Sequence, residues 1–152
     1  MKKSILFLII VLATFSLIGC KSLFINEKPS NAYYTKNLLS DLSTYENCHA
    51  NALYMNFYKG ERLEEDEFLI ARKFLKYIQP ENFIEKPTEL PETPVYKMYF
   101  TFNESKYVIN IYNQKYISIY PWDGDYAMDF IDMSSSYTSY NLFNLCEYIF
   151  ER

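Results

Sequence analysis

Three glycines, one histidine and one tryptophan are all that these 152 residues hold of those types, and cysteine comes only three times. So little glycine leaves no room for a glycine-rich phosphate cradle. The single histidine, His49, excludes any site of two or more histidines within one chain. The G-x-S-x-G, H-E-x-x-H, S-x-x-K and C-x-x-C patterns are also missing. No catalytic residue, metal ligand set or cofactor is therefore expected. Basic charge is short too, with 15 Lys and Arg against 19 Asp and Glu and no basic cluster. That argues against a nucleic-acid partner and against electrostatic adhesion to anionic lipid.

What the sequence does have begins at its N-terminus. Lys2 and Lys3 precede an unbroken apolar run from Ile5 to Leu12, and Leu17-Ile18-Gly19-Cys20 closes the segment. Charge, apolar core and a small residue before the cut describe a secretory signal, and the run is short of the ~20 residues of a membrane span. The closing four residues resemble the lipobox of bacterial lipoproteins. That resemblance implies that Cys20 is diacylated on sulfur, palmitate-fashion, and becomes the first residue of the mature protein. The expected organisation is a signal peptide over 1–19, a lipidated tether over 20–32 and a single domain over 33–152. The expected location is the cell membrane, lipid-anchored and facing the extracytoplasmic side. The signal carries two of the basic residues and no acidic one, so the mature chain is 13 minus 19, or −6. Membrane attachment then falls to the acyl chains alone. A tether of about ten residues reaches at most ~35 Å and keeps the domain close to the bilayer.

Cys48 and Cys146 remain. Outside the cytoplasm an even pair can form a disulfide, and two separately buried thiols are the alternative, since free cysteine packs as a small hydrophobe.

Apolar spacing predicts a helix from Tyr33 to Tyr58, with Leu38, Leu39, Leu42, Tyr45, Ala52 and Leu53 near one face and a possible break at Ser43-Thr44, where Ser43 and Glu46 have capping-box spacing. A second helix is expected from Glu64 to Gln79. Acidic residues fill its first turn, where the helix dipole favours them, and Pro80 ends it. After Pro87, Pro91 and Pro94 the period changes to two, and three antiparallel strands follow, over Met98–Phe102, Tyr107–Tyr112 and Tyr116–Tyr120. Opposing Phe102 with Tyr107 makes Glu104-Ser105 the first turn. Gathering the isoleucines on one face pairs Ile111 with Ile117 across a three-residue loop at Asn113-Gln114-Lys115. A fourth strand over Tyr126–Met133 has either Met128/Phe130 or Ala127/Ile131 inward. A last helix over Ser139–Phe150 puts Leu142, Leu145, Cys146 and Ile149 on one side. The fold class expected is α+β: two N-terminal helices, a four-stranded antiparallel meander sheet, and a C-terminal helix packed on the sheet.

Three features invite a functional reading. Cys48-His49 are neighbours, so a thiol dyad would need Cys146 brought to His49 by the fold. Asp123, Asp125, Asp129 and Asp132 cluster in sequence but miss the spacing of a calcium loop, and Asp-Gly between strands is a turn signal. The outward face of the sheet carries Tyr99, Thr101, Val108, Asn110, Tyr112, Tyr116, Ser118 and Tyr120, with Trp122 at its rim. An exposed row of tyrosines points to contact unless the 80–94 connector or a helix covers it. The candidate binding surface is therefore Tyr99, Tyr112, Tyr116, Tyr120, Trp122, Asp123 and Asp125. Its ligand would be an unknown protein or a component of the cell envelope. The alternatives are a cell-surface hydrolase using acids of the 123–132 cluster and a structural accessory of the envelope.

The run Tyr116-Ile-Ser-Ile-Tyr-Pro-Trp-Asp-Gly-Asp125, with Tyr140-Asn141-Leu142 and the lipobox, resembles a family of small clostridial lipoproteins of unknown function. The likeness covers most of the mature chain. Because that family brings no established activity, it implies no site residues.

Overall fold

The computed structural model describes residues 27–44 and 47–152. The signal segment, Cys20 and the first part of the tether lie outside the described residues, as do Tyr45 and Glu46.

The first helix, α1, is Tyr33–Thr44, and it buries Tyr34, Thr35, Leu38 and Leu42. In its last turn, Ser43 and Thr44 hydroxyls bond back to the carbonyls of Leu39 and Ser40 at 2.8 and 2.9 Å, the competition with backbone pairing that these residues bring to a helix. The long helix expected to Tyr58 is corrected here. Residues His49–Tyr54 form strand β1 and Lys59–Arg62 form β2, an antiparallel hairpin whose inner strand pairs with β4 (Tyr96–Thr101). Ala50 and Ala52 are buried while His49 and Asn51 are exposed, a period of two. Tyr58, in the hairpin turn, has φ 51°, an uncommon conformation for a bulky residue.

Helix α2, Glu65–Tyr77, starts as expected, with a capping box in which the Glu67 carboxylate accepts from the Glu64 N–H at 2.7 Å. Its buried residues are Glu67, Ala71, Phe74 and Leu75. The C-terminal Arg152 folds back on this turn and pairs with Glu64 and Glu67. A short 3-10 turn, Pro80–Asn82, leads into the two-residue strand β3, Phe83–Ile84.

The meander is β4, then β5 (Lys106–Ile111), β6 (Tyr116–Pro121) and β7 (Asp129–Asp132). Ile111 faces Ile117 and Ile109 faces Ile119, as the isoleucines demanded. The first hairpin differs from expectation by two residues: Phe100 faces Tyr107 and Met98 faces Ile109, with Phe102 N–H bonded to the Ser105 carbonyl, so the turn is Asn103-Glu104. A shift of two keeps every side chain on its face, so patterning alone is blind to it. On β7, Ile131 faces inward, level with Ile117.

The expected four strands are thus the middle of a seven-stranded antiparallel sheet, ordered β2-β1-β4-β5-β6-β7-β3. One face carries Met98, Phe100, Ile109, Ile111, Ile117, Ile119 and Ile131, and it packs against α1, α2 and the last helix α3, Leu142–Glu151. Helix α3 begins at Asn141, whose side chain accepts from the N–H groups of Phe143 and Asn144, and it buries the four residues expected.

Candidate functional site

The face of the sheet away from the helices is divided in two. Around β5 and β6 it is sealed: Val108, Asn110 and Ser118 are buried, and Tyr112 and Tyr116 are each 7% exposed. The connector between β3 and β4 is one cover. Its Glu89 carboxylate accepts from the Tyr116 hydroxyl at 2.7 Å, a bond that holds the Glu89 carboxyl below its ordinary range. Met128 is the other, its sulfur 3.4 Å from Ser118 Oγ. Beneath them the Asn110 amide donates to Ser118 Oγ at 3.1 Å. The row of exposed tyrosines read from the sequence is corrected at this point, because Tyr112 and Tyr116 are packed and bonded instead of free.

Toward β1 the same face is open. Trp122 is 68% exposed, and its N–H bonds the Lys106 carbonyl at 2.8 Å, extending the β5–β6 ladder by one rung. The Lys106 ammonium lies 5.0 Å from the ring centres of both Tyr99 and Trp122, within cation–π range. Tyr99 stands diagonally from Lys106 across β4 and β5, a spacing that long side chains bridge. Beside the trio a depression of about 310 Å³ is lined by Thr101, Asn103, Glu104, Ser105 and Asp123, among others. His49 and Asn51 continue the open face on β1, and Tyr120 lies half-buried at its inner border.

The turn that carries Trp122 is clamped to α1. Tyr34 Oη accepts from the Tyr126 N–H at 2.6 Å and donates to the Tyr126 carbonyl at 3.2 Å. A Cβ on Gly124 would come within 2.7 Å of that hydroxyl and 2.9 Å of Pro121, so glycine is required there for close approach. Asp123 and Asp125 are exposed beside this clamp.

The four aspartates do not gather in one place, although Asp123 and Asp125 border one depression of about 200 Å³ beside the clamp. Asp129 faces the helices and is 0% exposed. Its Oδ2 accepts from both the N–H and the hydroxyl of Thr35 at 2.7 Å, and its Oδ1 faces the Lys28 ammonium at 2.5 Å. Asp132 is on the opposite face, level with Tyr116, and accepts from the Ser134 N–H. Among the described residues no group of three or more His, Cys, Asp or Glu is placed to hold a metal ion. Asp129 and Asp132 thus point to opposite faces of β7.

Half-buried Cys48 and buried Cys146 are not bonded to each other in this structure. His49 projects from the open face while Cys146 lies on the core-facing side of α3, so the sheet separates them. Burial pushes the Cys48 thiol up to about 11 and the Cys146 thiol higher still. With the starting value at 9.0 and Cys48 at about 11, the thiolate that reacts is roughly 100-fold scarcer. Since a thiolate of higher pKa is also the stronger nucleophile, iodoacetamide at neutral pH should modify Cys48 about tenfold more slowly than it modifies the unfolded chain, as mass spectrometry would show.

Two features of this region were out of reach of the sequence. Lys106 gains its aromatic partners only through the true register, since the shifted one opposes it with Asn103. The Lys28–Asp129–Thr35 cluster joins residues that are far apart in the chain and share no motif.

The family model described as "Domain of unknown function (DUF4883)" matches residues 28–146. Among solved structures, the crystal structure of a protein from Clostridium perfringens assigned as a lipoprotein is 35% identical, with a TM-score of 0.74, covering 82% of this chain and 99% of the other. No curated protein matches the chain.

Proposed function

The chain belongs to the DUF4883 family, clostridial lipoproteins of unknown function, and from that premise we propose a lipid-anchored binding module. In this reading lipid on Cys20 holds the domain to the extracytoplasmic side of the membrane, and the open corner of the sheet takes the ligand. The Clostridium perfringens relative supports the membrane attachment. Trp122 carries the rest. It is the lone tryptophan of the chain and is left 68% exposed on a face whose other half is sealed. A large exposed aromatic beside hydrogen-bonding groups is the composition of a recognition anchor.

The lining of the depression favours a glycan of the cell envelope. Lys106 is balanced by Glu104 and Asp123, which disfavours a strongly charged ligand. Asn103 and Thr101 offer donors and acceptors to hydroxyl groups, the Ser105 hydroxyl being given to Asp41, and the free face of Trp122 matches the apolar C–H face of a sugar ring. Because Trp122 is single, its fluorescence reports this site alone. Titration with soluble cell-wall glycan fragments should shift its emission. Trp122→Ala should weaken retention on purified wall material about tenfold or more and leave the melting temperature unchanged. Unchanged emission across the wall-glycan series, or full retention of the variant, would overturn the reading.

A further inference from the structure

A second concavity lies on the helical side, between α1, α2 and the Pro80–Asn82 turn. Its volume is about 410 Å³, inside the ~300–1,000 Å³ span of small-molecule sites. Leu39, Ile78 and Phe83 line it and are only half-buried, with buried Leu75 beside them. Lys36 and Lys76, both exposed, are among its lining residues and supply two positive charges. No aspartate or glutamate is among its described lining residues, although acids outnumber bases 19 to 15 in the chain. The groove is thus a cation-bordered apolar slot in an acidic protein.

We infer that this groove binds a single-chain anionic amphiphile, a fatty acid of medium chain length. The apolar floor accepts a hydrocarbon chain, and burying it there removes its surface from water at roughly 25 cal/mol per Å². The paired lysines complement a carboxylate at its end. A neutral amphiphile would leave both ammonium groups without use, and a hydrophilic anion would leave the floor unfilled. Ser30, Asn31 and Ala32 also line the groove. They follow Cys20 by about ten residues, a reach of at most ~35 Å, so an anchored domain opens this slot near the bilayer from which such ligands come. It shares no lining residue with the Trp122 depression, so the two sites are tested separately, and only the nearness to the bilayer rests on the proposed anchor.

The test is equilibrium dialysis of radiolabelled dodecanoate against the full-length protein in phosphatidylcholine nanodiscs, with empty nanodiscs as the blank. Saturable binding of one dodecanoate per protein is expected. The surface double variant Lys36→Glu/Lys76→Glu should weaken it at least tenfold, and Leu39→Asp should do the same through the floor. Trp122→Ala should leave it unchanged. No saturable uptake above empty discs, equal competition by dodecanol, or an unaffected lysine double variant would each overturn the inference. So would a sedimentation experiment revealing a dimer that Leu39→Asp dissolves, because the groove would then belong to a second copy of the chain.

Discussion

Asp129→Ala is expected to cost about 3–5 kcal/mol, the usual penalty for removing one partner of a buried ion pair. The carboxylate is fully enclosed and serves three donors at once: the Thr35 N–H, the Thr35 hydroxyl and the Lys28 ammonium. Its loss strands the first turn of α1 without an acceptor and leaves the Lys28 ammonium beside a void. Against ~5–15 kcal/mol of total stability for a domain, that is a large share. Asp129→Asn should fall between the two, since an amide oxygen still accepts from Thr35 but no longer neutralises Lys28. Urea melts of the three proteins measure this directly. A loss below about 1 kcal/mol for the alanine variant would mean that the cluster is dispensable.

Ile111→Ala and Tyr116→Ala should both be severe, although they sit on opposite faces of the sheet. Ile111 is fully buried against the helices, and its truncation should cost about 2–5 kcal/mol in lost transfer energy and cavity. The sequence reading set Tyr116 outward and therefore cheap to remove. With Tyr116 only 7% exposed and bonded to Glu89, its truncation should cost about 2–4 kcal/mol. Tyr116→Phe should recover all but about 1 kcal/mol, because it keeps the packing and loses one hydrogen bond. If Tyr116→Ala melts like the native protein, the connector does not press on the sheet and the whole tyrosine row is available for contact.

The contrast between those residues shows what the sequence could disclose. Four isoleucines at period two leave one sensible pairing for β5 and β6, because any other scatters them across both faces. The β4–β5 hairpin lacked that constraint. Two turn positions one residue apart keep the same faces, and only the preference of Asn103 for turns separates them. The β1 segment was harder. Ala50 and Ala52 do alternate with polar residues, but alanine is a weak strand former and the leucines of α1 extend a helical rhythm into it. Its partner β4 lies some forty residues away, and that pairing leaves no local trace. The three prolines of the connector announced an extended segment without saying which face it would cross. That one fact decides which tyrosines are sealed and leaves Trp122, Tyr99 and Lys106 as the open corner.

The strand order also sets a timetable for folding. The central strands β4 to β7 are joined by short loops and can pair as they are made, but β1 must wait for β4, and β3 for β7. A chain made from its N-terminus delivers the margins of the sheet before its centre. The β1–β2 hairpin alone is too small to be stable, and α1 has no Asp129 to receive it until nearly the whole chain is out. Nascent chains therefore spend most of their synthesis without a partner for their apolar surfaces, the period in which contact-rich sheets are open to aggregation and proteolysis. A chain cut short before Asp132 lacks the strand that β3 requires, so proteases would meet it as an unfolded polypeptide and not as a smaller domain.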